Sequence, residues 1–457
     1  MLNTETLALD AVTLAASLTG DVVAPGDREY DLARRAWNLA VDQRPALVAF
    51  PADAIDVVAI VDFARARGLR VAPQGTGHNA APLPDLGDVV LLSTQRMRGV
   101  SIDAEARIAR VEAGTLWIEV TEETSKLGLA PLSGSSPDVG VVGYTLGGGL
   151  SWLARKHGLA ANSVTAVELV TADGRFVRAT ADQEADLFWA VRGGGGNLGI
   201  VTALEFRLYV APAVYAGMLL WPAERAGEVL RAWREWTTAV PDEATTSARI
   251  MHFPPLPELP EFVQGRSVVV IDGAILGPHD EAEALLAPLR ALEPELDTFG
   301  LIPPVGLSRI HMDPEEPIPY VGSGALLDPI DDAAIDAWVT AAGAGSGTAL
   351  LFTEIRHLGG AVGRVPEGAG VAAKMHGDYL SFGGGLALSP DMGAAVEASL
   401  ERFDEALAPW ASGANYLNFS EKPVDPATFY RPEDHRRLRE IRAAVDPDGI
   451  IVANHRV

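Results

Sequence analysis

A β-α-β pattern that runs straight into a glycine-rich loop constrains this chain most. Ala46 to Phe50 reads as a buried strand ended by Pro51. Ala54 to Arg67 reads as a helix, because Val57, Ile60, Val61 and Ala64 recur on one face. Gly68 sits where a left-handed glycine would stop that helix. A second strand, Leu69 to Ala72, leads into Pro73-Gln74-Gly75-Thr76-Gly77-His78-Asn79-Ala80. Such a unit commits the chain to layered helices and sheet. Two glycines one residue apart let successive N–H groups turn inward, a concavity suited to a phosphate or pyrophosphate. His78 closes the loop and holds a nitrogen nucleophile beside it. On this stretch alone, a tight turn with an incidental surface histidine is an equal alternative.

Two more glycine-rich regions follow. The first runs from Ser133 to Gly149 and ends in Gly147-Gly148-Gly149, which the pattern places at the start of a helix over Leu150 to His157. A helix start offers its positive end to a flat or charged group, whereas close helix packing would use the same glycines structurally. The second is Arg192-Gly193-Gly194-Gly195-Gly196-Asn197-Leu198-Gly199, followed by Ile200, Val201 and Thr202. It matches a dinucleotide fingerprint in spacing, but a helix precedes it and β-type residues follow, the inverse of a Rossmann site. Residues 1–44 read as amphipathic helix broken at Pro25-Gly26, and Thr115 to Leu127 as a further helix. Strands are expected at Val89 to Leu92 and Ile108 to Glu112, with a hairpin turning at Asp173-Gly174.

As a set, the three regions resemble the FAD-binding domain of the vanillyl-alcohol-oxidase superfamily, in its berberine-bridge-enzyme-like branch. The matching residues are Gly75-x-Gly77-His78, Pro137-x-Val139-Gly140-x-x-Gly143 with the triple glycine, and Arg192 to Thr202. At the C-terminal end they are Tyr416-x-Asn418-Phe419, Tyr430, Arg437-Leu438, Asp446-Pro447 and Asn454-His455. The resemblance implies an α+β fold: a two-part FAD-binding domain (1–211 and 411–457) and an inserted substrate domain (212–410) with an antiparallel sheet flanked by helices. It implies FAD carried covalently by His78. Gln74, Gly75, Thr76, Gly77, Asn79, Ala80, Ser135, Ser136, Asp138, Val139, Gly140, Gly143, Tyr144, Gly147, Gly148, Gly149, Asn162, Gly199, Ile200, Val201 and Asn418 would line the cofactor. Relatives with two links use a cysteine at the position of Ser136, so this chain would have one. Tyr416, Val139 and Tyr144 are the residues implied at the reacting face, with Val139 beside the approach of dioxygen.

The middle of the chain is less legible. Trp221 to Val240 is expected to hold a helix with Trp233 and Trp236 in the core. Val268 to Leu276 and Leu350 to Ile355 read as strands, Asp280 to Leu292 and Ala394 to Leu407 as helices, and residues 300–325 as a loop. In plant-type relatives polar base residues project from the strand that here reads Phe382-Gly383-Gly384-Gly385. Glycines there imply a roomier site and a base from elsewhere: Tyr416 first, then Glu354 or His357.

Composition narrows the partners. Lys+Arg 36 against Asp+Glu 61 gives a net charge of −25 over 457 residues, which disfavours nucleic acid and anionic lipid. With Cys at 0 there is no disulfide, thiolate or cysteinyl link, and the scattered histidines suggest no metal. No targeting or membrane-spanning segment is read, so a cytoplasmic monomer or homodimer is expected. The resulting expectation is an FAD-dependent oxidase moving hydride from a small organic substrate to FAD and then to dioxygen, giving hydrogen peroxide. A dehydrogenase with another acceptor and a non-catalytic flavin-loaded binding protein are the alternatives.

Overall fold

The computed structural model describes residues 4–257 and 259–457. Strands β1 (Asp21–Val23), β2 (Leu47–Phe50), β3 (Arg70–Gln74) and β4 (Val89–Ser93) form a first sheet in the order β1-β2-β4-β3, with β2 and β3 both parallel to β4. The helix Ala54–Arg67 is the crossover between β2 and β3. Asp53 caps its start by accepting from the backbone of Ile55 and Asp56, and Gly68 ends it at φ 65°. The segment read as helix over 1–44 is instead a helix Thr4–Ala15, then β1 paired to β2, then one turn at Tyr30–Ala33. Pairing to a buried neighbour outweighed local pattern there.

A second sheet holds β5 (Val100–Asp103), β6 (Ile108–Glu112), β8 (Val164–Val170), β9 (Phe176–Ala179) and β10 (Ile200–Arg207), in the order β5-β6-β10-β8-β9. A small ladder joins β7 (Leu129–Ala130) to β11 (Tyr209–Val210). The third sheet comprises β12 (Val214–Pro222), β13 (Ala244–His252), β14 (Ser267–Ile275), β15 (Leu296–Asp297), β16 (Gly300–Ile302), β17 (Tyr320–Leu327), β18 (Phe352–His357) and β19 (Tyr379–Leu386). Its pairings are antiparallel throughout. One face packs on the helices Ala226–Thr237, His279–Arg290, Asp332–Ala342 and Pro390–Leu407 around Trp221, Trp233 and Trp338, all 0% exposed. Trp221 lies in β12 rather than in the following helix, and β16 and the start of β17 occupy the two ends of the stretch expected as loop. The last residues return to the first sheet: Val71 pairs in parallel with Ile451, and Val452 N–H donates to Val71 O at 2.9 Å.

The strand with three glycines is continuous, and its glycines serve packing rather than space for a ligand. A side chain at Gly385 would lie 2.7 Å from Val396 Cγ2, and one at Gly383 would lie 3.3 Å from Leu400 Cδ2. Both neighbours belong to the helix Pro390–Leu407, which the missing side chains let approach the sheet.

Candidate functional site: the meeting of the glycine loops

Strand β3 delivers the first loop. Gly77 has φ 84°, and a side chain there would sit 2.9 Å from Ala36 Cα, so only glycine fits this close pass. The pass is pinned by Trp37 N–H donating to Thr76 O at 2.9 Å. His78 stands between three partners. Its Nδ1 lies 2.7 Å from Thr76 Oγ1, the Trp37 ring stacks on it at 4.2 Å, and its Nε2 is 3.7 Å from Asp138 Oδ2. Trp37 also donates its indole N–H to Asp138 Oδ2 at 2.5 Å. Trp37 was not foreseen, because it lies 101 residues from Asp138 and outside every glycine-rich stretch.

The second loop adjoins the first: a side chain at Gly140 would meet Thr76 Cγ2 at 3.7 Å. Its helix is Val141–Leu146, so the triple glycine follows a helix end instead of opening one, and only a single turn forms at Ala154–His157. The reason is local. Trp117 N–H donates to Val139 O and Val141 N–H to Thr115 O, each at 3.0 Å, which anchors the helix start at Gly140. The positive helix end therefore belongs to the Pro137–Gly140 side. Gly149 at φ 77° leaves room for Tyr144, whose Cε1 would be 2.5 Å from a side chain there. A side chain at Gly143 would meet nothing within 4 Å.

The Tyr416-x-Asn418 segment joins both loops. Asn418 Nδ2 donates to Tyr144 O at 2.9 Å and to Tyr416 Oη at 3.0 Å, while Asn79 Nδ2 donates to Leu417 O at 3.1 Å. Asn454 donates to Asn79 O, and Asn197 to His455 O, which ties in the chain's last residues. Burial raises the Tyr416 phenol well above its ordinary value, against partial relief from Gly149, Asn418 and Arg356. Ala80 is buried, Gly75 and Gly148 continue the loop walls, and Ser136 is half-buried. Ser135 donates to Asp313 at 2.8 Å. Asn162 spends its amide on Ala372 O, Ala373 O and Gly370 N–H, holding a loop. Gly199, Ile200 and Val201 lie at the start of β10, where Ile200 pairs with Val170 inside the core.

A charged cluster, of which the sequence reading named only Glu354, gathers at the third sheet, and its Arg356 lies near Tyr144 and Tyr416. Asp272 Oδ2 lies 2.6 Å from Arg249 Nη2 and 2.8 Å from His311 Nδ1, and Ser247 donates to Oδ1 at 2.5 Å. His311 Nε2 is 3.0 Å from Glu354 Oε2, whose other oxygen accepts from Arg356 Nε at 2.9 Å. Burial alone would raise Asp272, but Arg249 and His311 outweigh it and hold it at about 2. Glu354 is likewise held at about 2, its burial overcome by Arg356 and His311. Burial and Arg249 oppose charge on His311, yet Asp272, Asp313 and Glu354 raise it to about 9. Glu354 is thus a fixed anion, and His357, lowered to about 3 by burial and Arg155, is a neutral ring. Neither is poised to take a proton near neutrality. Arg356 reaches over the Phe419 ring at 5.0 Å, next to Tyr416. Period-two alternation in Glu354-x-Arg356 and Ser247-x-Arg249 is the only sequence trace of the cluster.

The residues fit a flavin dinucleotide. Gln74 Oε1, His78 Nε2, Asn79 Oδ1, Asp138 Oδ1 and Tyr144 Oη are buried without hydrogen-bond partners, and all five line the two loops. Buried polar atoms left open in one place mark a missing polar occupant. Residues 45–180 match the FAD binding domain family. A 206-residue stretch is 35% identical to (R)-6-hydroxynicotine oxidase of Paenarthrobacter nicotinovorans, covering 45% of each chain. The uncharacterized FAD-linked oxidoreductase YvdP of Bacillus subtilis is 27% identical over 95% of this chain and 96% of its own. Among solved structures, 6-hydroxy-D-nicotine oxidase from Arthrobacter nicotinovorans superposes with a TM-score of 0.83 at 25% identity, covering 95% and 96%. A glucooligosaccharide oxidase from Acremonium strictum, described with a 6-S-cysteinyl, 8α-N1-histidyl FAD, superposes at 0.80 and 20% identity, covering 98% and 99%.

The chain carries an FAD-binding domain and has the vanillyl-alcohol-oxidase fold of the berberine-bridge-enzyme-like proteins. It is an FAD-linked oxidoreductase. Among the described residues no helix is long and apolar enough to cross a membrane.

Proposed function

We propose that this enzyme is an oxidase carrying one covalent FAD on His78, acting on a small alcohol, sugar, phenol or amine and handing electrons to dioxygen. When bound, FAD accepts a hydride from the substrate carbon and passes the electron pair on, giving hydrogen peroxide. The observation that carries the reading is the placement of His78 at the end of the Gly75–Gly77 turn, where its Nε2 and polar atoms of Gln74, Asn79, Asp138 and Tyr144 are buried without hydrogen-bond partners. In this reading residues 1–211 and 411–457 form the cofactor half and 212–410 the substrate half.

Each residue has a task. Thr76, Asn79 and Asp138 position His78 and the cofactor's polar edge. Tyr144, propped by Gly149 and Trp117, forms the wall, its ring meeting Trp117 edge-on at 5.3 Å. Tyr416 touches the reacting face, and its protonated phenol orients the substrate's heteroatom. Arg356, fixed by Glu354, is the nearby cation that partly offsets the burial of the Tyr416 phenol. Val139 leaves a small apolar space for dioxygen. The test is a peroxide assay across alcohols, sugars, phenols and amines, with the acid-washed precipitate checked for yellow colour. We expect peroxide with at least one class and flavin retained; a colourless precipitate refutes the link, and flavin that never bleaches anaerobically with any compound supports the binding-protein alternative.

A further inference from the structure

His78 is flanked on its two ring nitrogens by groups of different kinds. Thr76 Oγ1 lies 2.7 Å from Nδ1, and a carboxylate oxygen of Asp138 lies 3.7 Å from Nε2. Asp138 is itself aimed: the Trp37 indole N–H donates to its Oδ2 at 2.5 Å, while the same Trp37 ring stacks on the imidazole with an interplanar angle of 17°. The indole therefore fixes both members of the pair. His78 Nε2 and Asp138 Oδ1 are buried without hydrogen-bond partners. A carboxylate facing one nitrogen selects the tautomer with the proton on that side, and the lone pair then sits on the other. Here that puts the proton on Nε2 and leaves Nδ1, which accepts from Thr76, as the nucleophile.

We propose that Asp138 is the positioning residue for covalent flavin attachment at His78, a step that rests on the histidyl link proposed above. Bonding Nδ1 to the carbon of the flavin's 8-methyl group would leave positive charge on the imidazole. Asp138 offsets that charge and takes the Nε2 proton as the C–N bond forms. The balance closes with dioxygen as acceptor. One methyl C–H bond and the imidazole N–H bond break, and one C–N bond forms. The electron pair released passes through the flavin ring to dioxygen, which leaves with the two protons as hydrogen peroxide. Trp37 contributes by holding the carboxylate in line, and Thr76 by keeping the ring from turning over.

The experiment is a time course of covalent incorporation. Full-length protein from riboflavin-limited cells is mixed with FAD in air. Total bound FAD is read from visible absorbance after gel filtration, and linked FAD from intact mass and from flavin fluorescence in denaturing gels. At matched occupancy, Asp138→Asn should bind FAD yet link at least about tenfold more slowly than wild type. Trp37→Phe keeps the stacking ring but loses the N–H that aims the carboxylate, and should fall between them. A purely structural role for Asp138 would lower occupancy without changing the linked share of what is bound. Linking by the Asp138→Asn variant at the wild-type rate overturns the proposal. If that variant does not fold, Trp37→Phe decides, and wild-type linking by it overturns the proposal equally. Wild-type chain of unmodified mass would instead refute the histidyl link itself, before any variant is considered.

Discussion

Asp272→Asn is the sharpest probe of the charged cluster beneath the reacting face. The substitution keeps shape and removes one charge, leaving Arg249 and His311, with side chains 4% and 3% exposed, short of a buried carboxylate. Two routes give its size. The fall of the Asp272 carboxyl from 3.8 to about 2 corresponds to about 2.4 kcal/mol at roughly 1.36 kcal/mol per tenfold. Removing one member of a buried ion pair typically costs about 3–5 kcal/mol. Unfolding entropy near ~2.1 cal/mol/K per residue puts the loss at roughly 2–5 °C if the whole chain melts together, and roughly 6–12 °C if about 200 residues around the third sheet melt alone. Thermal melts followed by far-UV circular dichroism at pH 7 measure it. The sign with pH is fixed as well. Because the folded carboxyl is depressed, its contribution is complete above 3.8 and disappears as pH falls through about 2, so the gap between variant and wild type should persist down to about pH 4 and then close. His311 is the opposite case: raised to about 9, it stabilises fully below 6.5 and loses that contribution as pH rises through 9. Without Asp272 that alkaline limb should move toward lower pH. A variant melting within about 1 °C of wild type at pH 7 would refute the claim that these charges form one coupled, desolvated network.

Three further outcomes are expected. Val139→Leu should slow reoxidation of the reduced enzyme by dioxygen at least about tenfold in stopped-flow mixing, a barrier change of about 1.4 kcal/mol; equal rates would remove Val139 as a gate. Gly149→Ala forces a side chain to φ 77° and to 2.5 Å from Tyr144 Cε1, so the purified protein should show a lower flavin-to-protein absorbance ratio, and an unchanged ratio would contradict the wall assigned to Tyr144. Glu421, pushed up to about 7 by burial despite the Tyr320 hydroxyl donating to it at 2.7 Å, is neutral in acid and charged in base. Glu421→Gln should therefore gain melting temperature over wild type at pH 8 and not at pH 5; a gain equal at both would show that the carboxyl does not titrate in the fold.

The cofactor half was the legible half, for a local reason. The helix Ala54–Arg67 could be placed to the residue because its apolar period and its terminal Gly68 lie within one short window, and Val57, Ile60, Val61 and Ala64 are all 0% exposed. The three glycine loops were visible because glycine is required by backbone geometry, which acts through adjacent residues. The triple glycine was attached to the wrong side of its helix because what anchors that helix is pairing of Trp117 and Thr115 with residues 139–141, a tertiary event. Phe382-Gly383-Gly384-Gly385 looked like an emptied site, since a sequence does not say which sheet face a neighbouring helix covers. Glu354 was singled out alone, but its grouping with Arg249, Asp272, His311 and Arg356 was not legible, for a related reason. Each residue is ordinary where it stands; the register of β13, β14 and β18 brings four of them together, and His311 reaches them from the irregular segment after Pro304–Arg309.

The return of the last residues to the first sheet separates the order of synthesis from the order of assembly. Gln74 to Ala80 leave the ribosome early, but Ile451, Asn454 and His455, which bond to Val71, Asn79 and Asn197, come last. At ~5–20 residues per second, roughly 380 residues of translation leave that loop without its final supports for about 20–80 s. A nascent chain stalled anywhere in the third sheet holds the histidine loop but not the residues 451–455 that support it. The full set of supports for the histidine loop therefore exists only after Ile451 to His455 have been made.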